Sequence, residues 1–169
     1  MTRPYQFHLA KSAAHVQGYV TLRKSIFCDE QGLFPHSDID RTDETAYPIV
    51  ALDRDWVAGD RVVGVVRIYE AEPRLWYGGR LGVHRLYRRR GRIGQGLIQK
   101  AVTTANAWGC DRFLATVQLQ NVRFFRRLHW TSLEEISLLG QPHHLMEADL
   151  NHYPPNREIR PAISLAQVS

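Results

Sequence analysis

The densest chemistry lies in the run LGVHRLYRRRGRIGQGL, residues 81–97. Leu81, Gly82 and Val83 close a strand-like stretch, and the apolar face that begins near Leu97 opens a helix. Glycines let a backbone approach a ligand closely, the first N–H groups of a helix lack internal partners, and the helix dipole puts positive potential at that end. Arg88, Arg89, Arg90 and Arg92 add fork-shaped cationic donors at the same place. This chemistry holds phosphate, and a diphosphate fits it. The spacing Gly91-x-x-Gly94-x-Gly96 is not GxGxxG, and no Gly-Lys-Ser/Thr is present, so a dinucleotide fingerprint and a P-loop are set aside. A nucleic-acid grip and a solvated arginine run remain open, the first disfavoured because the charge gathers at one helix start.

Acid–base candidates lie elsewhere. Glu70 and Glu72 follow the strand ending at Tyr69, where a carboxylate beside a cleft relays a proton through water; as turn acids before Pro73 they need no such role. Glu30, Asp38 and Asp40 offer carboxylates to a cationic amine, or cap a loop. His143 and His144 sit on a strand, where a neutral imidazole accepts a proton near pH 7, or simply packs. His143 is the preferred base, beside Glu70 and Glu30. Arg67 and Arg80 on adjacent strands either steer a substrate carboxylate or pair with Glu30 or Glu70. Cys28 reads better as a small buried hydrophobe than as a nucleophile. The eight histidines form no HxxxH or HExxH pattern, so no metal is expected.

These groups need a frame. The spacing predicts a helix over Ala13–Cys28 with Ser12 as N-cap, then a loop over Gly32–Asp43. Strands follow at Ile49–Leu52, Arg61–Tyr69 and Leu75–His84, with Gly59-Asp60 as a hairpin turn; the run Val62-Val63-Gly64-Val65-Val66 suits a strand buried on both faces. Leu97, Ile98, Ala101, Val102, Ala105 and Trp108 share one helix face, and Gly109 ends that helix. A strand over Phe113–Val117, a helix over Val122–Leu128, and strands over Trp130–Leu139 and His143–Leu150 around Gly140-Gln141-Pro142 complete the order β-α-β-β-β-α-β-α-β-β. That order implies an α/β (α+β) mixed sheet flanked by helices.

The 169 residues are 44% hydrophobic and 23% charged, a globular balance that fits one core. One domain is expected over 1–152, with a proline-containing tail over 153–169. Twenty-two basic against 17 acidic residues give +5, which suits a phosphorylated partner. Cys28 and Cys110 form no CxxC, which excludes a disulfide scaffold or four-cysteine zinc site and fits a reducing cytoplasm. No apolar run long enough to span a membrane and no secretory signal is present.

Val83, Tyr87, Arg88 to Gly94 and Leu97 resemble the acyl-CoA-binding motif of the GNAT superfamily of N-acyltransferases, a Val followed by Arg-x-x-Gly-x-Gly/Ala at a strand-to-helix junction. Leu22-Arg23, Ile26-Phe27, Glu30-Gln31, Asp38-Ile39-Asp40 and Asp43 resemble the amino-terminal signature of the ElaA-like branch. So do Gln118-x-Gln-Asn121 leading to Phe124-Phe125, and Gly140-x-Pro142-His143-x-x-Met146. The pattern spans about Leu22 to Asp149 and is similar to bacterial nitrogen-starvation N-acetyltransferases.

The resemblance implies a GNAT fold, with a mixed, mostly antiparallel sheet whose central strands splay to admit the pantetheine arm of coenzyme A. It implies that backbone groups of Leu81 and Val83 pair with pantetheine, that Arg88 to Gly94 (Arg88, Arg89, Arg90, Gly91, Arg92, Ile93, Gly94) and Gly96 hold the diphosphate, and that Asn121 lies beside the arm. Gly82, Phe124 and Phe125 count with the same site; Glu30, Arg67 and Arg80 count with the acceptor. The implied reaction moves an acetyl group from acetyl-CoA to a small-molecule primary amine by direct attack, within nitrogen metabolism. A non-catalytic acyl-CoA-binding regulator and an acyl-homoserine-lactone-synthase-like enzyme are the alternatives, and a homodimer bridged by the tail is compatible with all three. The chain departs from the pattern in three places. It carries one extra residue between Val83 and Gly94, His129-Trp130 for Gly-Phe, and Phe125 where many members have a proton-donating tyrosine. A thiol of pKa about 8.5 leaves as thiolate at pH 7 for only ~2 kcal/mol, so Phe125 does not abolish transfer.

Overall fold

The computed structural model describes residues 5–55, 57, 59–89 and 92–162. In chain order the elements are β1 (Gln6–Leu9), α1 (Ala13–Lys24), β2 (Tyr47–Asp55), β3 (Gly59–Glu72), β4 (Leu75–Val83), α2 (Ile93–Ala107), β5 (Arg112–Gln118), α3 (Val122–Arg127), β6 (Trp130–Leu138) and β7 (Gln141–Ala148). The seven strands form one sheet ordered β1-β2-β3-β4-β5-β7-β6. Only β4 and β5 run parallel; every other neighbouring pair is antiparallel. Helix α2 makes the crossover that a parallel pair requires. The mixed, mostly antiparallel sheet flanked by helices is the expected architecture.

Two apolar layers hold the helices to the sheet. Tyr19, Leu22, Ile26 and Phe27 cover Val50, Leu52 and Val65 on one face. Ile93, Leu97, Ile98, Ala101 and Val102 of α2 cover Ile49, Ala51 and Val66 on the other. The alternation of β2 and β3 residues between the layers is the period-2 consequence of a pleated strand, and it explains why β3 is buried continuously from Val63 to Ile68, with Val62 half-buried at the start of the valine run.

Several boundaries differ from the sequence expectation. Gly59 and Asp60 do not form the hairpin turn. They pair with Asp55 and Arg54 as the first residues of β3. Ser12 caps α1 by accepting from the His15 N–H at 3.1 Å, but the helix does not run regularly to Cys28. It widens into a π-helical segment over Ser25–Glu30, where the Gln31 N–H reaches the Ile26 carbonyl at 3.0 Å. The expected loop contains a short 3₁₀ turn at Arg41–Glu44. The β6–β7 turn is Leu139-Gly140, at φ 52° and 74°, a two-residue reversal with both φ positive, as in the type I′ turn whose backbone matches strand twist. Gly109, at φ 89°, ends α2 as expected. Residues 153–162 lie along α2 of the same chain: Asn106 Nδ2 donates to the Tyr153 carbonyl at 2.8 Å, Asn156 Nδ2 to Thr104 Oγ1 at 2.8 Å, and Lys100 pairs with Glu158 at 2.7 Å.

Candidate active site

The centre of the site is a break in the sheet. β4 and β5 pair from Leu75/Arg112 to Gly78/Ala115 and then separate, although both strands continue, to Val83 and Gln118. The cause lies in β4. Between the Arg67/Gly79 and Val65/Gly82 pairs, β3 has one residue and β4 has two, Arg80 and Leu81. That extra residue is a β-bulge, with Arg80 in the left-handed region at φ 53°, and a bulge bends its strand and ends regular pairing. Beyond Gly78 the β5-facing N–H and C=O groups of β4 therefore have no strand partner.

Two cavities occupy this opening. The first, about 320 Å³, draws its walls from both faces of the sheet: Phe27, Phe34, Arg67 and Arg80 on the α1 side, and Ile98, Val102 and Phe125 on the α2 side. The second, about 520 Å³, lies at the start of α2, against Leu81, Gly82, Val83, Arg88, Arg92, Ile93, Gly94 and Phe124. Leu81, Gln118, Asn121 and Phe125 line both, so a continuous groove leads from the arginine turn to the interior of the sheet.

The second cavity has the donors an anion needs. The first intrahelical bond of α2 runs from the Gly96 N–H to the Arg92 carbonyl at 2.9 Å, leaving the N–H groups of Ile93, Gly94 and Gln95 at the helix start without intrahelical partners. A Cβ on Gly94 would stand 3.7 Å from the Phe124 ring, so its absence keeps that end open. Arg88 is held at the rim by donating Nε to the Val83 carbonyl at 2.9 Å and Nη2 to Glu30 at 2.6 Å. Glu30 is thus the partner of Arg88 and does not line either cavity, contrary to its expected place as base or acceptor ligand. Gly96 is not part of the anion site. A Cβ there would come within 2.1 Å of the Phe7 ring, so its role is close packing of α2 against β1. Arg89 is exposed and lines neither cavity. Arg90 and Gly91 lie outside the described residues.

Arg67 and Arg80 on the wall of the first cavity belong to an ionic network, extending behind that wall, that the sequence reading did not pair. Buried Arg23 donates Nε to Asp38 at 2.7 Å and Nη1 and Nη2 to Asp43 at 2.6 and 3.0 Å. Arg67 donates to both oxygens of Asp40, at 2.7 and 3.1 Å, and approaches Asp43 at 3.1 Å. Arg80 joins Asp38 at 3.1 Å and Asp40 at 3.3 Å. Burial would raise the Asp43 carboxyl, but the Arg23 hydrogen bonds, the Asp40 N–H and the charges of Arg23 and Arg67 outweigh it and hold its pKa at about 2. Arg67 and Arg80 therefore pair with these aspartates and not with Glu30 or Glu70. Glu70 stands at the far end of the β3–β4 hairpin, accepting from the Arg74 N–H at 2.9 Å and from Arg160 at 3.2 Å. The Arg74 N–H above all, and then Arg160, draw its pKa below the usual carboxylate range. It lines neither cavity, so the expected Glu70 base is misplaced.

His143 does line the first cavity. Its Nδ1 lies 2.9 Å from the Gln141 carbonyl. A carbonyl only accepts, so Nδ1 carries the proton, and in the neutral ring Nε2 keeps its lone pair. Its neighbour His144 bonds Ser132 at 2.7 Å instead. Phe125 packs edge-on against Trp130, with centroids 5.0 Å apart. Tyr69 and Tyr77, stacked at 5.8 Å, and Leu139 also face this cavity. The sequence reading missed them because aromatic and apolar strand residues are normally core. Burial raises the Cys28 thiol pKa, the opposite of the lowered pKa that marks an activated nucleophile. Among the described residues no helix is long and apolar enough to cross a membrane, and no group of His, Cys, Asp or Glu gathers to hold a metal.

The sequence profile of the acetyltransferase (GNAT) family matches residues 8–130. No curated protein matches the chain by sequence. Escherichia coli ElaA shares 23% identity with it over 86% of this chain and 99% of its own, with a TM-score of 0.71. A protein from Lactobacillus plantarum has 18% identity over 86% and 98%, at TM-score 0.75. The acyl-homoserine lactone synthase BjaI, solved with SAM and isopentyl-CoA, has 15% identity over 97% of each chain at TM-score 0.71.

Proposed function

The chain belongs to the acetyltransferase (GNAT) family, and on that premise we propose that it transfers an acetyl group from acetyl-CoA to the primary amine of a small molecule. The observation that carries this reading is the parting of β4 and β5 beyond Gly78 and Ala115, with a groove running from the start of α2 to the wall of His143. Residues 1–152 form the acyltransferase domain in this proposal, with 153–169 as its tail, in a reducing cytoplasm.

In this account the N–H groups of Ile93, Gly94 and Gln95, with Arg88 and Arg92, hold the diphosphate of the thioester substrate. The backbone of Leu81 and the N–H of Val83, whose carbonyl is taken by Arg88, orient its thin arm together with Asn121. The amine nitrogen attacks the thioester carbon, the carbon–sulfur bond breaks, and the sulfur departs with the bonding pair. Backbone N–H groups of β4 that have lost β5 stabilise the negative charge growing on the carbonyl oxygen. His143 Nε2 takes the proton that the nitrogen sheds. Phe125 has no proton to give, so the thiolate leaves unassisted by that residue, at a cost of ~2 kcal/mol at pH 7.

Mass spectrometry of an amine panel incubated with acetyl-CoA and the protein tests this reading. An amine gaining an acetyl group, with free thiol released in equal amount, is the expected result. His143→Gln should lower kcat by about 100-fold, within the usual range for a general base, while leaving coenzyme A affinity unchanged. Coenzyme A binding without turnover of any amine would favour a regulatory acyl-CoA-binding protein. The likeness to BjaI over nearly the full length gives a second reading, acylation of a sulfonium-bearing amino acid followed by lactone formation; a lactone product would select it.

A further inference from the structure

Two guanidinium N–H groups on the wall of the first cavity have no acceptor among the described residues. Arg67 is only 5% exposed. Its two terminal nitrogens are taken by Asp40 and Asp43, but its Nε has no hydrogen-bond partner. Arg67 stands opposite Gly79 in the β3–β4 register, and a Cβ on Gly79 would lie 3.7 Å from that Nε. That nitrogen is the only neighbouring atom such a Cβ would meet, so the glycine keeps a side chain of its own from covering the orphaned N–H, and both residues face the cavity. Arg80, on the same wall, spends Nε and Nη2 on Asp38 and Asp40 and leaves Nη1 free. A buried donor without an acceptor is costly, and a ligand that supplies the acceptor relieves that cost.

The charge balance points the same way. The side chains of Arg23, Arg67 and Arg80 are 1%, 6% and 17% exposed, against 1% and 11% for Asp38 and Asp43. The third carboxylate, Asp40, is 42% exposed, so water screens it. Three desolvated cations therefore face two desolvated anions. The rest of the wall is apolar. Phe34 lies under the Arg80 guanidinium at 4.6 Å. Leu139 is kept at the cavity mouth in a left-handed conformation, φ 52°, that leucine disfavours.

We propose that the acceptor amine is an apolar amino carboxylate, its carboxylate seated on Arg67 Nε and Arg80 Nη1 over Gly79 and its side group against Phe34, Tyr77 and Leu139. The amine's part in this rests on the acyl-transfer reading above; the carboxylate subsite is read from the arginines alone.

The test titrates the full-length protein, saturated with coenzyme A, with 3-phenylpropionate and with 3-phenylpropan-1-ol by calorimetry. The carboxylate should bind at least 10-fold more tightly than the alcohol. Gly79→Ala places a methyl over Arg67 Nε at ordinary contact distance; it should cut that preference below threefold while coenzyme A affinity, which also reports folding, stays within twofold. Equal affinity for acid and alcohol, a preference that survives Gly79→Ala, or failure of both 3-phenylpropionate and 4-methylpentanoate to bind would each overturn the proposal. Should coenzyme A itself fail to bind, the acyl-transfer reading falls, and the same titration on the unliganded protein still decides the carboxylate subsite.

Discussion

Asp43→Asn replaces one oxygen of the buried carboxylate that joins Arg23 to Arg67. In the native chain that carboxylate accepts from Arg23 at 2.6 and 3.0 Å and from the Asp40 N–H at 3.0 Å. An amide has one oxygen and turns its own donors towards one of those donors, leaving a buried cation short of its counter-charge. Removing one partner of a buried pair costs about 3–5 kcal/mol. Against a total of about 5–15 kcal/mol for a domain this is a large fraction, and at about 2–4 °C per kcal/mol it lowers Tm by about 6–20 °C. The effect depends on pH with a definite sign. The folded pKa of Asp43, about 2, lies below its ordinary 3.8, so the unfolded chain binds more protons at acid pH and the stabilisation present above pH 4 is lost as pH falls towards 2. A shift of that size amounts to about 2 kcal/mol. Urea unfolding of native and variant proteins at pH 7, 4 and 2.5 should therefore show a gap that is widest at pH 7 and narrows by about 2 kcal/mol in acid. A gap under about 1 kcal/mol at pH 7, or one that does not change with acid, would refute the view that Asp43 is ionised and bonded in the fold.

Phe125→Tyr puts a phenol beside the departing sulfur and should raise kcat, by at most the ~30-fold that ~2 kcal/mol represents; stopped-flow detection of released thiol measures it, and an unchanged kcat would show that sulfur departure is not limiting. Leu139→Asn suits the left-handed turn position better and should stabilise the protein by up to about 1 kcal/mol in urea unfolding, while raising KM for an apolar amine. A loss of stability would mean that Leu139 is held by the fold and not for a ligand. Arg88→Ala with Arg92→Ala should weaken coenzyme A by about 10-fold or more in calorimetry and leave dephosphorylated pantetheine nearly unaffected; equal losses would remove those side chains from phosphate binding.

The element order was legible because its signals are local and repeated: the valine run of β3 and the apolar face of α2 each state their period within a dozen residues. The gathering of Arg88, Arg92 and Gly94 around one cavity followed from a motif with a physical reason at each position, whereas Leu81, Val83 and Asn121 beside them were implied by the family resemblance alone. What stayed hidden is set by long-range pairing. Arg80 meets Asp38 across 42 positions and Arg88 meets Glu30 across 58, and no spacing rule distinguishes these aspartates and glutamates from other exposed acids. Glu70 seemed a base because it ends a strand, but strand ends point to either side of a sheet, and this one faces Arg74 and Arg160. Gly96 illustrates the same ambiguity at a single atom: a glycine beside a phosphate and a glycine under an aromatic ring read alike in sequence, and only Phe7 tells them apart. The bulge at Arg80 leaves no local mark either, since arginine is not a residue that announces a left-handed backbone.

The most direct measurement is the thermal unfolding of the protein titrated with coenzyme A. A ligand that binds only the folded chain adds about 2.7 kcal/mol at 100 times its Kd, so Tm should climb by about 5–11 °C and keep climbing with the logarithm of concentration, with pantetheine giving a markedly smaller rise. A Tm that does not move at millimolar coenzyme A would mean that the opening between β4 and β5 does not receive the thioester arm.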